Sequence, residues 1–317
     1  CLEAAEYLLA NKLFKSAQTC LDWVSEFEAK AKEIAADCGA STAGAKELRA
    51  KLSLCTAKLC LLKGDIDGAE AAVLYAEKRY KDGEAEERGL VALAHAEVMS
   101  KKLDEPAALS KYLSALKLLP DPVPFSVYLS IFKLLSAANR WAEAREVMFR
   151  AAKSWSYSSV WLNISKASIK LGYLEDAEDS LQESNGADTN DPRSWGLFVI
   201  VCLKQGERLS EANEGLKQAL GLGLSDLDIL REMGDLFVAI DEMAQAEAVW
   251  RRGVEIMPPA EEGAEFGLRL AKCLEAQREF EKALACYDSL VSTHAAVGGH
   301  TVEQERAKLV QRMGWNF

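Results

Sequence analysis

Trp161 and Trp195 stand 34 residues apart, and the stretches around them can be laid over one another. SSVWLNISKASIKLGYLEDAEDSLQESN is followed by DPRSWGLFVIVCLKQGERLSEANEGLKQAL and then by SDLDILREMGDLFVAIDEMAQAEAVWRRGVEIMPP. A period of this length marks a helix–turn–helix unit that cannot bury its own apolar face, so neighbouring units must stack. With each Trp counted as repeat position 4, Ala177 falls at position 20 and Leu181 at position 24. One extra residue in the next turn moves the equivalents to Ala212, Leu216 and Ala219. The third stretch has Leu230 at position 4, Met233 and Gly234 at 7 and 8, Ala246 at 20, Trp250 at 24, Gly253 at 27 and Pro258 at 32.

This small-then-bulky pattern resembles the tetratricopeptide (TPR) repeat, in which position 20 lets helix B approach helix A. The resemblance implies an all-α fold: a right-handed TPR superhelix (an α-solenoid) of about eight helix–turn–helix repeats with a C-terminal capping helix. One array is expected over 1–317, with repeats at 1–29, 46–81, 88–120, 122–156, 157–190, 192–223, 225–258 and 261–294 and the cap at 301–314. Ala17, Ala69, Ala108, Ala144 and Ala283 hold position 20 in the remaining units. The run Pro120–Pro124 fixes a turn without ending the array. The join 29–45 is less regular: an extended helix and then a loop, with Ser41 or Thr42 capping the next helix. Thr301 and Gln304 fit a capping box in its Gln form. Trp161, Trp195 and Trp250 are expected in the packed strip between helices rather than in a ligand box.

Composition narrows the function. Lys and Arg total 38 against 49 Asp and Glu, a net charge of −11, which argues against nucleic acid or an anionic membrane as the partner. The longest apolar run, Leu197–Leu203, is too short to span a bilayer. The eight cysteines form no C-x-x-C pair and read as small buried hydrophobes in a reducing, cytoplasmic compartment. The chain opens at Cys1, as expected of part of a longer protein.

Chemical motifs are not found. His95, His294 and His300 have no partner at ligand spacing, and no phosphate loop, dinucleotide fingerprint or nucleophile elbow occurs. Acid clusters such as Glu175-Asp176-Glu178-Asp179 open helix B, where the helix dipole favours them by about 0.3–1 kcal/mol. The expectation is a protein-binding chain with no catalytic residues, no cofactor and no metal.

TPR grooves are lined by helix-A positions 2, 5, 9, 12 and 13. In the middle repeats this picks out Lys133, Lys166, Lys170, Arg193 and Lys204, with Lys51 and Lys58 earlier on the same line. An acidic helix or tail is the expected occupant, with the basic stretch ending near Leu220, before Asp228 and Asp235. Co-chaperone TPR proteins resemble one another in a carboxylate clamp, of which Asn163 and Arg193 match two sites, while Leu129, Lys133 and Leu197 stand at the other three. A soluble adaptor or co-chaperone taking a short acidic peptide is therefore the alternative reading.

Leu174–Asn185, Trp195–Glu207 and Leu222–Gly234 carry a narrower likeness. They resemble the C-terminal repeats of an axonemal scaffold family, cilia- and flagella-associated protein seventy, which shows a similar Leu-x-x-Ala-Glu-Asp-x-Leu stretch followed by Trp and Val-Cys-Leu-Lys. The likeness covers Ser156–Gly234, and this chain continues about eighty residues past the point where that family's chain stops. It implies a structural subunit of a ciliary or flagellar axonemal assembly whose partners are other subunits, with no catalytic residues to carry over.

Overall fold

The structure is a computed structural model and describes residues 18–20, 22, 26, 43–257, 264–292, 296–297 and 300–314. The chain divides into two compact units, Cys1–Val147 and Met148–Phe317, the division falling within a helix rather than at the proline run. Among the described residues there are fifteen helices. The first unit holds α1 (Ala43–Lys63), α2 (Ile66–Arg79), α3 (Ala85–Lys101), α4 (Glu105–Leu118), α5 (Phe125–Ala137) and the start of α6 (Trp141–Ala152). The second continues through α7 (Ser158–Leu171), α8 (Leu174–Ala187), α9 (Pro192–Gln205), α10 (Leu209–Gly221), α11 (Leu227–Ala239), α12 (Met243–Ile256), α13 (Ala264–Ala276), α14 (Phe280–Ser292) and α15 (Val302–Arg312). Most of the first repeat, with Ala17, most of the join 29–45, with Ser41 and Thr42, and Pro258 lie outside the described residues.

Each helix pair closes in the same way. The residue five places before each position-20 alanine is left-handed: Gly64, Leu103, Asn139, Gly172, Glu207, Asp241 and Arg278, with φ between 55° and 82°. In six of these seven turns the next residue donates its N–H to a carbonyl five residues back, at 2.8–3.0 Å, as in Asp104 to Met99 and Tyr173 to Ser168. That bond is the Schellman closure, which satisfies an orphan carbonyl at the helix end. A left-handed L-residue costs about 1–2 kcal/mol. Five of the seven positions accept that cost because the turn presses helix B onto helix A. Ala69, Ala108, Ala144, Ala177, Ala212, Ala246 and Ala283 all sit there with no exposed surface. A larger side chain at any of them would push the two helix axes apart.

Entry to the helices is fixed by aspartate. Asp65, Asp104, Asp191 and Asp226 each accept a backbone N–H from the first turn that follows, a contribution typically about 0.5–2 kcal/mol. Around the proline run, Val123 is buried and α4 packs on α5, so the turn joins two helices of one core.

In the first unit the core collects Ala57, Ala69, Val73, Tyr80, Val91, Ala94 and Val98. In the second, one continuous core runs from Leu162 to Leu309. Trp250 lies at its centre, but the other two tryptophans of the repeat do not fill it. Trp161 and Trp195 are only half-buried, contrary to their expected place in the packed strip. Trp195 lies at the core margin with its Nε1–H donated to the Thr189 carbonyl at 3.4 Å and its ring edge-on to Phe198. An indole has a polar edge, and a margin site lets that edge reach a backbone acceptor. Before α15, Ala296–Val297 pairs antiparallel with His300–Thr301, a two-residue β ladder between the last repeat and the cap. Helix α15 begins immediately after Thr301, where the cap was expected.

Candidate protein-interaction face

Three odd-numbered helices of the second unit, α7, α9 and α11, are the A helices of successive repeats, and the first two of them carry the expected basic residues. Lys166 and Lys170 are on α7, Arg193 and Lys204 on α9; Lys170, Lys204 and Arg193 are exposed, while Lys166 and Asn163 are half-buried. Lys133 is exposed on α5, in the first unit, as are Lys51 and Lys58 on α1.

Those of the second unit do not form a bare positive stripe. Lys170 Nζ lies 2.8 Å from Glu232 Oε2, and Lys204 Nζ lies 3.1 Å from the other oxygen of the same carboxylate. Lys166 stands 3.9 Å from Asp228. Arg193 closes onto its own cap residue, Asp191, at 2.7 Å. The acids come from α11, so two lysines of α7 reach past α9 to the helix two A positions on. The ladder continues from Asp228 to Arg231 at 2.9 Å, from Arg231 to Glu265 of α13 at 3.4 Å, and from Glu265 to Arg269 at 2.8 Å; Arg269 also pairs with Asp235. The face is thus an alternating run of charges held across four helices.

Glu232 is the residue that sequence reasoning missed. It occupies position 6, outside the lining positions counted above, although it lies one turn beyond Asp228 and shares its helix face. Burial raises its carboxyl, but the hydrogen bonds and charges of Lys170 and Lys204 outweigh burial and hold it below the usual carboxylate range. A carboxylate lowered in the folded state adds stability that is complete above its unfolded value and is lost as pH falls through the lowered folded value. Glu232→Gln is therefore expected to lower stability near neutral pH by about 1 kcal/mol. Urea midpoints measured down the acid branch should show the gap to the parent chain closing below that folded value. A gap independent of pH would mean that the carboxylate's charge is not what counts.

In the first unit, Glu97 is set into α3 and its carboxyl is raised by burial, with the charge of Lys58 partly offsetting this. His95 is buried with Nδ1 3.4 Å from Glu77, and burial together with Lys111 holds it below the usual histidine range, so it stays neutral. Cys55, Cys202 and Cys273 are buried free thiols, and burial pushes Cys202 up to about 11, far from a reactive thiolate. Among the described residues, no group of three or more His, Cys, Asp or Glu is placed to hold a metal ion, and no helix is long and apolar enough to cross a membrane.

Comparison with known proteins follows the same geometry. The sequence model of the Cilia and flagella-associated protein 70 C-terminal domain matches residues 61–309, so the likeness is not confined to Ser156–Gly234 and the family's pattern does not stop there as expected. Cilia- and flagella-associated protein 70 of Macaca fascicularis is 32% identical over 94 residues, which are 30% of this chain and 9% of that protein. The Homo sapiens protein of the same name matches equally, over 8% of its length, so the stretch aligned is a small part of either relative. A tetratricopeptide repeat protein from Parabacteroides merdae superposes with a TM-score of 0.59 at 16% identity, covering 83% of this chain and 99% of that one. The C-terminal part of a TPR repeat-containing protein from Cytophaga hutchinsonii gives 0.54 at 12% identity, over 84% and 99%. These two likenesses establish the fold, an all-α TPR solenoid.

Proposed function

Because the chain belongs to the family of the Cilia and flagella-associated protein 70 C-terminal domain, we propose that it serves as a non-enzymatic structural subunit of a ciliary or flagellar axonemal assembly, binding other subunits through its helix faces. The observation that carries this reading is the family match over most of the repeat array. The A-helix face of the second unit adds to it: charged side chains engaged with one another suit a surface that fits a fixed neighbour better than a site that performs chemistry. Lys166, Lys170, Arg193, Lys204 and Asn163 form the proposed partner face there, with Lys133 its counterpart on the first unit. A partner carboxylate on this face must take the place of Glu232 or Asp228, so binding exchanges one ion pair for another. Such exchanges set register and specificity more than affinity.

The test uses the full chain carrying a proximity label in ciliated cells, followed by detergent extraction of the axonemes. The expected result is that the chain remains with the extracted axoneme and labels axonemal neighbours. If it leaves with the detergent supernatant and labels soluble clients with acidic tails, the alternative reading stands: an adaptor that takes a short acidic peptide on the same face.

A further inference from the structure

The first unit contains a cleft on the other helix layer. Its volume is about 440 Å³, and it opens between α2 and α4 over the first turns of α3. That is within the range of about 300–1,000 Å³ usual for sites that enclose a small group. The floor is apolar, made by Tyr80, Val91 and Leu118, of which the first two are buried. The rim carries Lys81, Arg88 and Lys111 against a single carboxylate, Glu77. Lys111 spends its charge on Glu77 at 2.7 Å, and hydrogen bonding to Lys111, together with the charges around it, keeps that carboxyl low despite burial. Lys81 and Arg88 are exposed and form no ion pair among the described residues. The connector acids Asp82, Glu84 and Glu86 are exposed and lie outside the lining.

Two unpaired cations stand above an apolar floor, on a chain whose net charge is −11. On the A-helix face of the second unit, by contrast, Lys166, Lys170, Arg193 and Lys204 are paired internally. An apolar floor favours an occupant that brings an apolar side chain over a small inorganic anion, which would be partly desolvated there.

We propose that this cleft docks an acidic segment of a partner protein, seating one apolar side chain on Tyr80, Val91 and Leu118 and its flanking carboxylates on Lys81 and Arg88. The site lies on α2, α3 and α4, away from the groove positions of the A helices, and is independent of the groove reading. It gives the array a second attachment surface, as a subunit held between neighbours requires.

The experiment titrates the full chain into a fluorescent peptide, Glu-Glu-Leu-Leu-Glu-Glu, by anisotropy at two salt concentrations. The parent chain is expected to bind saturably, and more weakly as salt rises. Lys81→Glu with Arg88→Glu is expected to weaken binding about tenfold or more and flatten the salt dependence. The peptide Gln-Gln-Leu-Leu-Gln-Gln should show the same loss on the parent chain. A control, Lys217→Glu with Lys282→Glu, makes the same change in net charge on the exposed faces of α10 and α14. It should bind like the parent. The proposal is overturned if the parent shows no saturable binding, if the cleft variant binds like the parent, or if the control loses as much. Lys166→Glu with Lys170→Glu, in the same titration, separates the two faces: a loss there with none at the cleft puts the peptide in the groove. Circular dichroism melts check that each variant is folded.

Discussion

Trp250→Ala is expected to cost about 3–5 kcal/mol, and it should also reverse the effect of a second substitution, Gly234→Ala. Trp250 is 1% exposed and lies on α12 against α11 and α13. A Cβ on Gly234 would stand 2.3–2.6 Å from three atoms of its ring. The ring has nowhere to go: Phe266 sits 5.9 Å away on one side, and the guanidinium of Arg269 lies 5.0 Å from its centroid. The indole Nε1 is buried without a partner, so removing the ring relieves an unpaired donor and holds the loss toward the lower end of the range.

Gly234→Ala by itself sets two terms against each other. Alanine in a helix interior is about 1 kcal/mol more favourable than glycine. Overpacking a core that cannot yield costs about 1–3 kcal/mol. With Trp250 in place the clash wins and the variant loses stability. In the Trp250→Ala background the clash is gone and only the helical preference remains, so the same substitution should stabilise. Urea unfolding of the four chains measures this coupling directly. Equal effects of Gly234→Ala in both backgrounds would mean that the ring does not fill that space.

The second large effect is at α15, the last of the described helices. Leu309 on α15 has no exposed surface, and Leu309→Ala is expected to cost about 2–5 kcal/mol at the site. In a stack where each element touches only its neighbours, this loss is local. The helix can detach before the units behind it unfold, so the global midpoint should move less than the local cost implies. Val302, at the start of α15, is buried in the same core, and Arg312 pairs with Glu275, a carboxylate that also accepts from Tyr287 at 2.6 Å. Burial and that carboxylate push the Tyr287 phenol up, so it stays a donor. Hydrogen exchange should show lost protection confined to α13, α14 and α15, with α7 to α11 unchanged. Equal loss throughout the second unit would indicate one cooperative block instead.

The contrast between these two sites bears on what a scaffold of this kind tolerates. Damage beside Trp250 interrupts contacts on both sides, whereas damage at α15 loosens the last of the described helices. Partner binding at α15 would therefore restore most of what Leu309→Ala removes, and would restore little of what Trp250→Ala removes, because the lost volume there lies inside the stack.

The register of the repeats was legible in the sequence because it is local. A small residue at position 20 and a bulky one at position 24 sit on the same helix, so their spacing survives in one dimension. All seven described position-20 alanines are fully buried. The lysines at positions 9 and 13 were legible for the same reason. Their electrostatic meaning was not. Lys170 and Glu232 are 62 residues apart, and nothing in either segment signals that α7 reaches α11 past α9. Only the stacking of three successive A helices brings them together and turns an apparent basic stripe into an ion-paired ladder. Periodic identity along the chain determines which face a residue occupies. Which charge or ring it meets there depends on the distances between repeats, which are set by packing and not by any one segment.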